Sequence, residues 1–175
     1  NIDIEIHKKA IDDTFAFTSS TAEIKYGEDF TNTATSSKTD RTGTVTYSVE
    51  SGDECVSVDN DGAITTLKAG SATIKAVLPE DENYQESQAT YTLTINKADD
   101  SNFEFSDPAP GYIIYSENGT YVNKASGGYG KGDITYEIIS GDDYATVDND
   151  GTLHLLKAGS VVVEATRAAD DKYKE

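Results

Sequence analysis

The chain has 175 residues, 32 acidic against 14 basic side chains, a formal charge of -18 and one cysteine. Such a charge repels phosphate, so nucleic acid and anionic membrane are poor partners for this segment. A single cysteine allows no intrachain disulfide, and no window of 18 apolar residues offers a membrane span.

The chain opens on NIDIEI, in which Ile2, Ile4 and Ile6 alternate with Asp3 and Glu5. That period of two is the pattern of a strand with one buried and one wet face. FAF at Phe15 and EIKY at Glu23 give two further short strands. TVTYSV (Thr44 to Val49) places Val45, Tyr47 and Val49 on one face, and VSV follows. DNDG joins it to AITTL, and Asp61-Gly62 predicts a two-residue hairpin of type I′. KAG turns the chain into SATIKAV, with Ala72, Ile74 and Ala76 facing inward. ATYTLTI (Ala89 to Ile95) closes the run, Tyr91, Leu93 and Ile95 alternating with threonine. About seven short strands and no helical periodicity predict an all-β fold, a sandwich of two antiparallel sheets.

The same order then recurs. Residues 47–86 match residues 136–175 without a gap, at an offset of 89 and with 18 of 40 positions identical. Upstream, FAFT at Phe15 pairs with FEFS at Phe103, and IKYGE at Ile24 with IIYSE at Ile113. The chain thus reads as a tandem array of one unit.

VDNDGAITTLKAGSATIKA and its repeat VDNDGTLHLLKAGSVVVEA resemble bacterial immunoglobulin-like domains of the Big-2 kind. YTLTINKADD followed by FEF is similar to a junction between such repeats. The resemblance implies two tandem immunoglobulin-like sandwiches without enzymatic activity. It also implies a stalk or interaction module of a secreted or surface-attached bacterial protein, adhesins included, with neighbouring repeats, identical subunits or a host or cell-surface ligand as partners.

The repeat phase sets the boundaries: residues 1–7 as an orphan closing strand, 8–97 as the first domain and 98–175 as the second. The second domain reaches DKYKE, the counterpart of ENYQE, and so lacks its own last strand, while NIDIEIHKKA aligns with YTLTINKA allowing one extra residue. Three arrangements stay open. The orphan strand completes the second domain of a neighbour and builds a filament by donor-strand exchange. The chain is an excerpt of a longer array. The orphan strand is an added edge of the first domain.

Site candidates are few. Asp99 and Asp100 at the junction, with Asp81 in the loop PEDEN, are candidate calcium ligands, since a hard cation needs six to eight oxygens. VDNDG fails the calcium-loop template, because Gly62 follows Asp59 by only three positions, and reads as a turn. Tyr112, Tyr115, Tyr121 and Tyr129 form the one local aromatic cluster, the candidate ligand site of a carbohydrate-binding module. His7 and His154 are far apart in sequence, and Cys55 has no identifiable base, so no catalytic residue is predicted. Cys55 reads as a small core residue and His154 as a surface residue. Tyr84 and Tyr173, at equivalent places, read as structural tyrosines of the sandwich corner.

Overall fold

A computed structural model describes residues 2–5 and 12–175. Ile6 and His7 lie outside the described residues. The chain divides into two compact units, 1–97 and 98–175. No helix occurs among the described residues; the chain is all-β.

In the first unit, β1 (Ala16–Phe17), β2 (Thr21–Lys25), β3 (Phe30–Thr31) and β4 (Ala34–Thr35) precede β5 (Thr46–Ser51), β6 (Val56–Val58) and β7 (Ala63–Thr66). The long strands β8 (Gly70–Leu78) and β9 (Ser87–Asn96) follow. One sheet has the order β2-β9-β8-β5 and the other β3-β7-β6, with β1 and β4 paired separately. All pairings are antiparallel except β2 with β9, which run parallel, an exception to the purely antiparallel sheets expected from the hairpin signals. The period-2 pattern explains the core. Ala72, Ile74 and Ala76 of β8 and Tyr91, Leu93 and Ile95 of β9 are buried, and they meet Val56 and Ile64 of the facing sheet. Phe17 places its ring edge-on to Tyr91, with centroids 4.6 Å apart. Cys55 is buried in the same core, as its apolar context predicts.

The hairpin at DNDG differs from the expected type I′ turn. Gly62 N–H donates to Asp59 O at 3.2 Å, and Asp59 N–H to Ala63 O at 3.0 Å. Positive φ occurs only at Gly62 (80°), not at Asp61. The loop is therefore three residues long, a turn closed by a glycine bulge. Asp59 Oδ1 accepts the amides of Asp61 and Ala63, both at 2.9 Å, which ties that oxygen into the turn itself.

The second unit contains β10 (Phe103–Phe105), β11 (Thr120–Val122), β12 (Ala125–Gly127) and β13 (Ile134–Ser140). It continues with β14 (Ala145–Val147), β15 (Thr152–Leu155) and β16 (Val162–Arg167). Its pairings β10-β12, β11-β15-β14 and β13-β16 reproduce β1-β4, β3-β7-β6 and β5-β8. The correspondence extends to irregularities. The β5-β8 register slips between Val49 and Ser51, and the β13-β16 register between Ile138 and Ser140, 89 positions on. Gly52 and Gly141 both have positive φ, and a Cβ at either would collide with a backbone carbonyl, that of Ser71 or Ser160.

Candidate functional site

The two units part company at β9. The second unit holds no counterpart of this strand among its described residues, and two neighbouring segments differ accordingly. Residues 110–114, the counterparts of β2, form no strand. Residues 159–161, the counterparts of the first three residues of β8, are irregular, so β16 is six residues long where β8 has nine. The cause is the ladder. In the first unit β2 bonds only to β9, and Gly70, Ser71 and Ala72 pair with Ile95, Thr94 and Leu93; without those partners neither stretch has a sheet to join.

The vacated space is a cavity of about 540 Å³. Phe105, Leu153, Val161 and Val163 line it. They are the repeat counterparts of Phe17, Ile64, Ala72 and Ile74, which in the first unit belong to the same buried core as Tyr91, Leu93 and Ile95. Tyr121, paired with Leu153 as Phe30 is with Ile64, lines it too. The cavity is therefore the socket that β9 side chains occupy in the first unit. Around it apolar surface meets water: Tyr112 and Ile114 are each 84% exposed. A wet apolar surface of this kind beside an unpaired strand edge favours association.

The aromatic candidates separate. Tyr112, Tyr115 and Tyr121 line the cavity. Tyr129 instead stacks on Tyr173, with centroids 6.0 Å apart and an interplanar angle of 21°. Tyr84 donates its hydroxyl to Asp40 Oδ1 at 2.9 Å rather than to the backbone. The backbone-tying hydroxyls belong to Tyr47 and Tyr136, which accept the amides of Ala34 at 3.1 Å and Ala125 at 3.0 Å.

The aspartates proposed as metal ligands sit in protein hydrogen bonds. Asp81 Oδ1 accepts the amides of Asn83 and Tyr84, both at 2.8 Å, and Oδ2 that of Thr42 at 2.9 Å. Arg41 pairs with it at 3.1 Å in a buried position. The Thr42 amide above all, opposed by desolvation and aided by the other two amides and the guanidinium, holds this carboxyl well below the usual range. Asp100 accepts the amides of Tyr129 and Gly130 and pairs with Arg167 at 2.8 Å. Burial pushes its pKa up, but those bonds outweigh burial and the net direction is down. Asp99 pairs with Lys174 at 2.9 Å. Among the described residues no group of three or more His, Cys, Asp or Glu is placed to hold a metal ion. His154 is a surface residue hydrogen-bonded to Asp148 at 2.8 Å.

Ile2 and Ile4, the described members of the candidate donor strand, are 87% and 77% exposed, and residues 2–5 form no strand.

The first unit's two facing sheets with a shared core define a β-sandwich of the immunoglobulin-like class. Residues 13–90, within the first unit, match the family model of the bacterial Ig-like domain (group 2). Among solved structures, mouse cadherin-23 EC22-24 is similar at a TM-score of 0.40 and 18% identity, over 90% of this chain and 60% of that one. Chicken VE-cadherin EC1-2 is similar at 0.36 and 17%, over 88% and 94%. A SusE-like surface located polysaccharide binding protein from the Bacteroides thetaiotaomicron heparin utilisation locus is similar at 0.34 and 16%, over 90% and 31%. A comparison with curated proteins gives no match.

Proposed function

We propose that the chain is a non-enzymatic structural or adhesive module of a bacterial cell-surface or secreted protein, and that its second unit accepts a β-strand from outside residues 98–175. The group 2 Ig-like match over residues 13–90 supports the first part. The observation that carries the second is the identity of the cavity lining. Phe105, Val161 and Val163 stand where Phe17, Ala72 and Ile74 close over β9 in the first unit. An extended strand with apolar residues at alternate positions satisfies both needs of the site. Its side chains fill the socket and its backbone bonds the open edge of β16.

The same cavity contains Tyr112, Tyr115 and Tyr121, the aromatics of a carbohydrate reading. The strand reading has the stronger support, because Tyr121 is the counterpart of Phe30, a residue packed on the first unit's core. The test is a labelled peptide of residues 88–96, QATYTLTIN, titrated into the protein beside a peptide with serine at the three apolar positions. Saturable binding of the first alone, abolished by Val163→Asp, is the expected result. Failure of the peptide to bind, with glycan-array binding lost on replacing Tyr112, Tyr115 and Tyr121, would establish the carbohydrate-binding module instead.

A further inference from the structure

We propose that the peptide bond between Asp107 and Pro108 is a self-cleavage site, cut by the Asp107 side chain while Asn123 polarises the scissile carbonyl. The first observation is chemical. Of the three prolines only Pro108 follows an aspartate. Such a bond is among the most acid-labile in proteins, because the aspartate carries its own nucleophile and the proline nitrogen of a tertiary amide is a good leaving group. The second observation is geometric. Asn123 Nδ2 donates to Asp107 O, the oxygen of that bond, at 2.9 Å, and Asn123 Oδ1 accepts the Asp107 N–H at 3.1 Å. One carboxamide therefore holds Asp107 through both its amide and its carbonyl, and its N–H lies at the distance of a donor that stabilises negative charge developing on a carbonyl oxygen. The third is access. Asp107 and Pro108 are exposed, in the irregular stretch between β10 and β11, so water and protons reach the bond.

The first unit supplies the contrast. FAFTSS (Phe15 to Ser20) stands at the position of FEFSDP (Phe103 to Pro108), and Asn32 Nδ2 donates to Ser19 O at 2.9 Å as Asn123 Nδ2 does to Asp107 O. The clamp is thus part of the loop structure of the repeat, and only the second unit places an Asp-Pro bond under it. The reaction needs no cofactor. A carboxyl oxygen of Asp107 adds to the carbon of its own main-chain carbonyl and closes a five-membered ring, and the charge that forms on the carbonyl oxygen faces the Asn123 N–H. Collapse breaks the C–N bond, and the Pro108 nitrogen takes a proton from solvent and leaves as a secondary amine. Water then opens the cyclic anhydride to two carboxyls, so the net change is hydrolysis of one peptide bond. The cut leaves β10 on the piece 1–107, held to the piece 108–175 by its ladder with β12 and by the Asp100 pair with Arg167. A covalent link within the second unit becomes a non-covalent one.

The chain 1–175 is incubated in mildly acidic buffer in which circular dichroism shows it folded, beside a peptide of residues 101–114, and the products are read by mass spectrometry. The expected result is fragments 1–107 and 108–175 ahead of any other cut, at a rate about tenfold above that of the peptide, less than one such donor contributes in a water-excluded site. Asp107→Ser and Pro108→Ser, which introduce the residues of the first unit's loop, should each abolish the cut. Asn123→Asp keeps the acceptor and removes the donor, and should slow the folded chain to the rate of the peptide; Asn123→Leu serves as the second variant. A folded chain cut no faster than the peptide, or folded Asn123 variants cut at the parent rate, would overturn the role of Asn123. A first cut at any other bond would overturn the site itself.

Discussion

The hydroxyl of Tyr47 accepts the backbone N–H of Ala34 at 3.1 Å, and 89 positions later the hydroxyl of Tyr136 does the same for Ala125 at 3.0 Å. Ala34 and Ala125 are both buried, so removing the acceptor strands a donor away from water. Tyr47→Phe should destabilise the first unit by about 1–3 kcal/mol, the usual cost of an unsatisfied buried polar group. Urea unfolding checks this, with a lowered midpoint at an unchanged slope as the expected result.

The two cores should respond unequally to the same truncation. Ile74 is buried under β9, whereas its counterpart Val163 borders the open cavity. Ile74→Ala should cost about 2–5 kcal/mol, since it leaves a void in a closed core. Val163→Ala should cost less than about 1.5 kcal/mol, because it removes fewer methyl groups from a site already open to water. Native-state hydrogen exchange of the slowest amides in each unit reads the two costs separately.

Hydrogen exchange also tests the edge directly. Amides of β16 directed away from β13 should exchange rapidly, while those of β8 directed toward β9 should be protected. Saturation with peptide 88–96 should slow the first set and leave the second unchanged.

Acid should weaken the fold through named carboxylates. Asp12, Asp81 and Asp100 all lie below the ordinary aspartate value of 3.8 when folded. For Asp12, burial opposes ionisation, but bonds from the hydroxyls of Ser36 and Thr14 and from the Thr14 amide outweigh it. Groups depressed in this way bind more protons unfolded than folded between the two values. Their stabilisation is present above the unfolded value and is lost as pH falls through the folded one. Stability measured from pH 6 down to pH 2 should fall, and Asp81→Asn should lower the stability at neutral pH while flattening the acid limb.

Much of the first unit is legible in the sequence, because period-2 patterns specify faces directly. Tyr91, Leu93 and Ile95 alternate with threonine and are buried, and Ala72, Ile74 and Ala76 likewise. That residues 98–175 hold no counterpart of β9 is legible from the repeat phase. The irregularity of residues 110–114 and 159–161 is not. GYIIY at Gly111 reads locally as well as EIKY at Glu23, yet only the latter is part of a strand, since the difference lies in a partner far away in sequence. The parallel pairing of β2 with β9 is equally invisible, because alternation carries no direction. Asp61-Gly62 matched a hairpin signal, but the capping carboxylate of Asp59 selects a longer turn in which only the glycine takes positive φ. For the aspartates suggested as calcium ligands, sequence shows the charge but not the neighbours, which are backbone amides for Asp81 and Asp100 and the Lys174 ammonium for Asp99.

The socket in the second unit belongs to its hydrophobic core, so binding there and folding are one event. Any strand that enters adds stability in proportion to the logarithm of its concentration over its dissociation constant. The melting temperature of this unit is then a property of its company as much as of its sequence. Dilution of such a strand would lower the stability of this unit, and an excess of it would raise that stability.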